Sequence, residues 1–223
     1  MTVIVAITAH PDDEVFTFGG ALAMYAARGH QVGLICLTDG QMGRTGGLVE
    51  RPLLGALRRE ELLRACARLG IGAVITPGLS DGGLEQHPQD EGVELVAAEL
   101  DRLAADVVLA FGPEGGASGH PDHKVASRWA TRAAGDRRLY WASWPGEMLL
   151  PVERQREPGP PCTTVVELGE HAARKREAFL EHRSQIDHLA LFDTLQEQLA
   201  GRELYYRAHP AWRGGGAREM DLF

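Results

Sequence analysis

The sequence predicts an α/β protein with a Rossmann-like, mostly parallel sheet and helices on both of its faces. Apolar strand patterns alternate with helical patterns from Val3 to Ala133, which is typical of βαβ units. Polar, glycine-rich segments directly follow four of the predicted strands. The chain has 223 residues, a length that suits one α/β domain, so residues 1–223 are expected to form a single domain.

The individual elements are predicted from local patterns in chain order. Val3–Thr8 is an apolar run that predicts the first strand, and residues 20–28 predict an amphipathic helix. The next elements are strand 31–38, helix 56–69 with Gly70 as its stop, strand 73–76, helix 91–104, strand 106–111 and helix 122–133. The last part of the chain is predicted to contain strand 139–141, a Pro/Gly-rich loop at 151–161, strand 163–167, helix 170–183 and a terminal strand at 205–206.

Composition and charge exclude several classes of protein. A formal net charge of −8 without a basic stripe argues against a nucleic-acid partner, because phosphate neutralisation supplies most non-specific affinity. No apolar run approaches the ~20 residues that span a bilayer. The first apolar segment, Val3–Thr8, has no basic n-region and no small-residue cleavage site, so we expect it to be part of the fold and not a signal peptide. We therefore expect no membrane partner and a cytoplasmic location. The three cysteines form no CxxC pair, and Cys36 and Cys66 are expected to be buried thiols.

The polar segments that follow the strands are expected to meet in the folded protein. They comprise residues 10–14, 39–47, 80–86 and 113–123. In an open parallel sheet such loops emerge at the carboxyl edge of the strands, where ligands bind at a topological switch point. The sequence therefore predicts an active site at this edge of the sheet.

Two of these loops carry histidine and aspartate in tight clusters, Ala-His-Pro-Asp-Asp-Glu at 9–14 and Gly-His-Pro-Asp-His at 119–123. Alone, the aspartate pair would as readily cap the next helix, and His10 would more often be a structural histidine. Together the clusters supply what a catalytic zinc needs, namely three nitrogen or oxygen ligands and a fourth position for water. We expect His10 and Asp13 to chelate from one side and His123 from the other. No cysteine is near, which argues against a structural zinc.

The two clusters, in this order and at this separation, resemble the signature of the PIG-L/LmbE-like N-acetylglucosaminyl deacetylases. The resemblance covers most of the chain. Further segments that look like family motifs are Thr-Asp-Gly-Gln-Met-Gly-Arg at 38–44, Arg-Arg-Glu-Glu at 58–61, Leu-Ser-Asp-Gly at 79–82 and His-Arg-Ser-Gln at 182–185. The resemblance implies a zinc-dependent hydrolase that removes the N-acetyl group from a small amino-sugar molecule.

The resemblance implies the same three metal ligands and adds catalytic roles. Asp12 would be the general base that takes a proton from the attacking water. His120 would stabilise the tetrahedral oxyanion and protonate the amine leaving group. Asp122 would hold His120 in the right tautomer and favour its imidazolium form.

Three further side chains are expected near the substrate or the metal. Arg44 would clamp a carboxylate or sugar hydroxyls, although most arginines of this chain are expected at the surface. Asp81 would accept a sugar hydroxyl, although a turn residue is equally compatible with its sequence context. Glu14 would support the metal ligands or begin a helix. The other histidines, expected at the surface or in structural roles, are His30, His87, His171, His182, His188 and His209.

The branch of the family is predicted from two features of the loops. Members of the mycothiol pathway carry a tyrosine two residues before the first His of His-Pro-Asp-His, and this position is Ser118 here. The Gln-Met-Gly-Arg loop at 41–44 and the Phe-Gly-Pro-Glu segment at 111–114 look closer to the bacillithiol branch. That branch acts on N-acetylglucosaminyl-malate, an anionic substrate that suits Arg44.

Several alternatives remain open at this point. An amidase acting on thiol S-conjugates would use the same zinc site, and the loop at 151–161 is compatible with either pocket. Against a metal-binding module without catalysis, Asp12 and His120 are both present although neither is needed to hold a metal. A Mg²⁺-dependent phosphate-ester hydrolase is less favoured, because two imidazole ligands favour zinc over hard cations. Fe²⁺ is also compatible with the ligand set, and the resemblance implies a homo-oligomer.

Overall fold

The computed structural model describes residues 1–144, 159–213 and 216–223, and within them seven strands form one sheet. The strands are β1 Val3–Thr8, β2 Gln31–Cys36, β3 Ala73–Ile75, β4 Val107–Phe111, β5 Arg138–Ala142, β6 Thr164–Glu167 and β7 Arg202–His209. Strands β3, β2, β1, β4 and β5 lie side by side in that order, and all are parallel. This is the order of doubly wound folds, whose switch point here lies between β1 and β4. The predicted α/β fold is confirmed.

Helices cover both faces of the sheet. Among the described residues they are α1 Asp13–Thr17, α2 Gly19–Ala27, α3 Leu54–Leu69, α4 Gln89–Arg102, α5 Pro121–Ala133, α6 His171–Phe179 and α7 Leu189–Leu199. Because successive strand side chains point to opposite faces, Ile4 of β1 packs in one apolar cluster and Val5 in the other. Helices α4 and α5 contribute to the second cluster and the remaining helices to the first. None of the helices in these ranges has the length and apolarity to cross a bilayer.

The first half of the chain follows the prediction closely, with one correction. Helix α2 was expected to be amphipathic, but its residues from Gly19 to Tyr25 are all buried. The helix is enclosed by α3, α6 and β2, which leaves no face for solvent. Cys36 and Cys66 are buried free thiols, as expected.

The second half departs further from the prediction. The helix expected at 170–183 ends at Phe179, and a short 3-10 helix Arg183–His188 then leads into α7, which the sequence pattern did not predict. The terminal strand expected at 205–206 is the longer β7, which lies antiparallel between β5 and β6. The charged Glu203 is buried within β7, so it interrupts the apolar pattern by which a buried strand is predicted. Most of the loop expected at 151–161 lies outside the described residues.

A buried ion pair fixes β7 to two helices. The ammonium of Lys175 on α6 donates to Glu203 Oε1 at 2.8 Å, and both side chains are almost fully buried. The same carboxylate accepts the backbone N–H groups of Gly20 and Ala21 at 2.8 and 3.0 Å. It therefore satisfies two of the otherwise unpaired donors in the first turn of α2.

Candidate active site

Four loops meet at the carboxyl edge of the sheet, where they line one crevice of about 320 Å³. The loops follow β1, β2, β3 and β4, and the side chains and backbone that they contribute come from His10, Asp12, Met42, Gly43, Asp81, Gly82 and His120. The loops after β1 and β4 flank the switch point of the sheet. The structure thus brings together the four segments that the sequence predicted to meet.

The ring of His10 is oriented by two carboxylates. Its Nε2 lies 3.2 Å from Asp122 Oδ2 and 3.1 Å from Asp81 Oδ1. Because a carboxylate only accepts, Nε2 carries a proton, so Nδ1 is the nitrogen that holds the lone pair when the ring is neutral. That Nδ1 lies 3.4 Å from Asp13 Oδ2 and 3.3 Å from His123 Nε2.

His123 is oriented in the same way by different neighbours. Its Nδ1 lies 3.2 Å from the carbonyl oxygen of Gly115 and 3.3 Å from Ser118 Oγ. The ring also stacks on Phe111 with a centroid separation of 4.2 Å. Since the carbonyl accepts from Nδ1, Nε2 is the unprotonated nitrogen. In their neutral forms both imidazoles bond outward through N–H and direct a lone pair inward, as metal-binding histidines do.

Asp13 supplies the third inward-facing atom. Its Oδ2 accepts the backbone N–H groups of Ala9 and His10 at 3.2 and 2.8 Å, and its Oδ1 lies 3.1 Å from His123 Nε2. Although burial favours the protonated acid, the imidazoles of His123 and His10 hold the pKa of Asp13 well below its usual range. Asp13 is therefore an anion at neutral pH.

These three groups fit a zinc ion. His10 Nδ1, the Asp13 carboxylate and His123 Nε2 lie 3.1–3.4 Å from one another. Electron-pair donors at this distance repel one another unless a proton or a cation lies among them. In a tetrahedral site with zinc bonds of about 2.0–2.1 Å, neighbouring ligand atoms lie about 3.3 Å apart. A nitrogen of His120 also lies within 4.8 Å of nitrogens of both other rings, so His120 borders the same point.

Asp12 lies beside this point in a strained conformation. Its φ of 106° is in the left-handed half of the backbone map, which non-glycine residues rarely adopt. Its N–H donates to Glu14 Oε2 at 3.0 Å, and its Oδ2 lies 3.3 Å from Arg58 Nη2. Burial raises the pKa of Asp12, and the Arg58 guanidinium opposes this rise. The carboxylate lines the crevice, where it is placed to accept a proton.

His120 is held by the backbone of Asp122, which corrects an expectation from the sequence. The Asp122 N–H donates to His120 Nδ1 at 3.2 Å, so the ring keeps its proton on Nε2. Burial and the neighbouring His10 and His123 lower the pKa of His120. The Asp122 carboxylate instead contacts His10 and accepts the N–H of Gly82 at 2.7 Å. The Asp122 carboxylate therefore orients His10 and not His120, and the lowered pKa favours the neutral form of His120.

Arg44, which was expected in a loop beside the crevice, lies in an exposed ion pair. Its guanidinium donates to Asp187 Oδ2 at 3.1 Å, and the two side chains are 65% and 55% exposed. Its backbone carbonyl accepts from Gln185 Nε2 at 2.8 Å, which fixes the loop although the side chain lies at the surface. The structure thus places Arg44 at a surface ion pair beside the crevice loop.

Asp81 lines the crevice. Its Oδ1 contacts His10 Nε2 at 3.1 Å, and its Oδ2 accepts the Met42 N–H at 2.8 Å. The side chain therefore supports a candidate metal ligand and joins the loops after β2 and β3. Since each carboxylate oxygen has two lone pairs, Asp81 can still accept a further hydrogen bond.

Buried polar residues lie behind the crevice, and the sequence prediction gave a role only to Glu14, as a support of the metal ligands or a helix start, and to His182, at the surface or in a structural role. Glu14 Oε1 contacts His182 Nε2 at 2.6 Å, and both side chains are fully buried. Glu61 of α3 accepts both the N–H and the hydroxyl of Ser184 at 2.9 and 2.6 Å. The guanidinium of Arg58 bonds the carbonyl oxygens of Pro11 and Gly40 as well as Asp12.

A signal for these residues was present in the sequence. Arg58 and Glu61 fall at helical spacing on the face of α3 that otherwise carries Leu54, Leu62 and Ala65. Charged side chains on an apolar face are buried only when partners satisfy them. Their position therefore predicted a buried polar contact, but not which distant loops would supply it.

The parallel sheet and the two His/Asp loops that converge at its switch point place this chain among α/β proteins with a candidate metal site at the carboxyl ends of the strands. The family model described as PIG-L, GlcNAc-PI de-N-acetylase, matches residues 5–134, and the chain belongs to this family. The family membership predicted from the two clusters is confirmed.

Several named relatives cover much of the chain. A 1D-myo-inositol 2-acetamido-2-deoxy-alpha-D-glucopyranoside deacetylase from Nocardia farcinica is 30% identical over 99% of this chain and 95% of its own. A probable N-acetyl-alpha-D-glucosaminyl L-malate deacetylase 2 from Bacillus anthracis is 31% identical over 82% of this chain and 80% of its own. An inositol-type relative from Corynebacterium glutamicum is 36% identical, but this chain spans only about half (55%) of its length.

Solved structures share the fold. The conserved protein TT1542 from Thermus thermophilus is 26% identical, with a TM-score of 0.75 over 98% of this chain and all of its own. The N,N'-diacetylchitobiose deacetylase from Pyrococcus horikoshii is 21% identical, with a TM-score of 0.70 over 92% of this chain and 82% of its own. Because the sequence identity to the Pyrococcus horikoshii protein is only 21%, this structural similarity supports the fold alone.

Proposed function

We propose that this protein is a zinc-dependent hydrolase that removes the N-acetyl group from a small molecule containing N-acetylglucosamine. The observation that carries the proposal is the convergence of His10 Nδ1, His123 Nε2 and the Asp13 carboxylate at 3.1–3.4 Å. Asp12 and His120 border that point although neither is needed to complete the three-ligand set. The names of the relatives support the substrate class.

The ligands in this proposal are His10, Asp13 and His123. A zinc ion bound there lowers the pKa of water and polarises a carbonyl group. Asp12 accepts the proton of the attacking water, whose oxygen adds to the amide carbon. The Nε2–H of His120 donates to the oxyanion that develops on the carbonyl oxygen.

The proton held by Asp12 then passes to the amide nitrogen as the C–N bond breaks, which yields acetate and the free amine. The sequence analysis expected His120 to protonate the amine. In this proposal the neutral ring of His120 has one N–H, which donates to the oxyanion, so the proton for the amine comes from Asp12.

Metal content and turnover together test this assignment. His10→Ala, Asp13→Ala and His123→Ala should each lose bound zinc, because removing one of three ligands collapses the site. Asp12→Asn should keep zinc in elemental analysis yet lose about 10²-fold or more of its hydrolysis rate. Turnover by Asp12→Asn at the wild-type rate would remove Asp12 from the mechanism.

The proposed substrate is N-acetylglucosaminyl-malate. Relatives from Bacillus subtilis and Bacillus anthracis carry that substrate in their names, and Ser118 replaces the tyrosine expected in the other branch. An exposed ion pair is worth only about 0–1 kcal/mol. A substrate carboxylate can therefore displace Asp187 from Arg44 at little cost.

Kinetics on matched substrates test the role of Arg44. A bidentate arginine–carboxylate contact of about 1.5–3 kcal/mol favours the malate conjugate over free N-acetylglucosamine by roughly 10- to 150-fold in kcat/KM. Arg44→Ala should erase most of that preference, whereas the matched Asp187→Ala should retain or increase it. A preference that survives in Arg44→Ala would count against the malate assignment.

An inositol conjugate is the second candidate, favoured by the Nocardia farcinica relative that aligns with 99% of this chain. Its aglycone is uncharged, so its hydrolysis should not depend on Arg44. Comparing the malate and inositol conjugates in wild type and Arg44→Ala therefore separates the two candidates.

A further inference from the structure

A second cavity of about 290 Å³ lies against the candidate metal ligands. Asp12, Asp13 and His123 form part of its wall. The rest of the lining is largely apolar and includes Phe16, Phe111, Ala117, Trp144, Leu191 and Leu195. An apolar cavity in contact with three polar reactive groups is not accounted for by sugar binding.

The two cavities meet at the loop after β1, which carries His10, Asp12 and Asp13, and they differ in polarity. Asp12 and His188 line both. The crevice described above also presents Asp81, His120 and Gln185, whose polar groups suit a hydroxylated sugar. Consider a substrate whose amide lies beside this loop and whose sugar lies in the polar crevice. Its acyl group then lies on the side of the apolar cavity.

We propose that the apolar cavity is an acyl-chain subsite, so that the enzyme hydrolyses N-acyl amino sugars with acyl groups longer than acetyl. This rests on the proposed function. A cavity of about 150 Å³ already holds benzene, and this one is larger than an acetyl methyl requires. The reaction is the same hydrolysis: water adds to the acyl carbon, the C–N bond breaks, and a fatty carboxylate and the free amine leave.

A series of N-acyl substrates tests the proposal. N-acetyl, N-propionyl, N-butyryl and N-hexanoyl forms of glucosamine and of glucosaminyl-malate release the same amine, so one assay measures all of them. Each methylene that enters the cavity should raise kcat/KM by up to about fourfold. A steady fall in kcat/KM from acetyl to propionyl to butyryl would overturn the subsite.

Cavity-filling variants locate the effect. Leu191→Trp on α7 should reduce the ratio of kcat/KM for hexanoyl to that for acetyl by about tenfold or more, because the added ring occupies the space for the chain. Ala190→Trp, at an exposed position of the same helix, is the matched control and should leave the ratio unchanged. Ala117→Val fills the same cavity from the loop before α5 and serves if Leu191→Trp does not fold.

Binding of free carboxylates separates this proposal from the proposed function. Hexanoate should bind the metal-free protein about tenfold or more tightly than acetate in calorimetry, and Leu191→Trp should remove the difference. Hydrolysis of the acetyl substrate with equal binding of both acids would refute the subsite alone. Preferred binding of hexanoate without hydrolysis of any sugar would refute the deacetylase and leave the subsite standing.

Discussion

The backbone of Asp12 stores strain at the position of the proposed general base. A residue with a Cβ at a φ of 106° costs of the order of 1–3 kcal/mol, whereas glycine tolerates it. Asp12→Gly should therefore be more stable than Asp12→Ala by about 1 kcal/mol in urea denaturation. Both variants lack the contact with Arg58, so the comparison isolates the backbone. Equal stability of the two would mean that the strain is absent in solution.

Arg58 and Arg59 are adjacent but differ in burial, which makes them a matched pair. Arg58 is 4% exposed and bonds two carbonyl oxygens and Asp12, whereas Arg59 pairs with Asp39 at the surface. Arg58→Met should lower the free energy of unfolding by about 3–5 kcal/mol. Arg59→Met should change it by about 1 kcal/mol or less. A similar cost for both in chemical denaturation would contradict the proposed support of the Asp12 loop by Arg58.

The sequence was most informative where interacting residues are close together in the chain. His10 and Asp13 lie in one cluster, and their placement at a strand end predicted that they face the same point. The partner of Arg44 is Asp187, 143 positions away, and nothing local in the sequence pairs them. The direction of the Asp122 carboxylate is likewise set by the first turn of α5 and by the N–H of Gly82 on another loop. Such contacts depend on how distant loops pack.

At the scale of elements, the ion pair between Lys175 and Glu203 holds β7 against α2 and α6. Each single variant, Lys175→Met or Glu203→Gln, should lower the free energy of unfolding by about 3–5 kcal/mol, because it leaves a buried charge unpaired. The double variant should cost less than the sum, by roughly 1–3 kcal/mol, since its members share one interaction. Additive costs in a double-mutant cycle would show that the two charges act independently.

The order of elements was predictable where each strand alternates with one helix. From β1 to α5 the chain follows this alternation except that two helices, α1 and α2, lie between β1 and β2, and the boundaries of α3 differ from those expected by only two residues at its start. The repeat ends at β5. The antiparallel insertion of β7 depends on burial of Glu203, which becomes compatible with a strand only once Lys175 and the α2 backbone satisfy it. The local sequence pattern around Glu203 does not show that these distant groups satisfy its charge.

At the scale of the whole molecule, the proposed metal site would add a cation to a chain with a formal net charge of −8. Although burial opposes it, the carboxylates of Asp122, Asp13 and Asp81 raise the pKa of His10 well above its usual range. The centre therefore favours positive charge, which either a proton or a metal ion supplies. A metal ion that binds must displace that proton, so metal affinity should rise with pH until His10 is deprotonated.

If the proposed site binds zinc, the metal should stabilise the whole fold. A ligand at about 100 times its Kd adds about 2.7 kcal/mol to the free energy of unfolding, which raises the Tm of a chain of this size by about 5–10 °C. We expect this rise in differential scanning calorimetry for the wild type and for Asp12→Asn, because Asp12 is not a ligand. His10→Ala, Asp13→Ala and His123→Ala should show little of it. An equal rise in those three variants would place the bound zinc elsewhere on the protein.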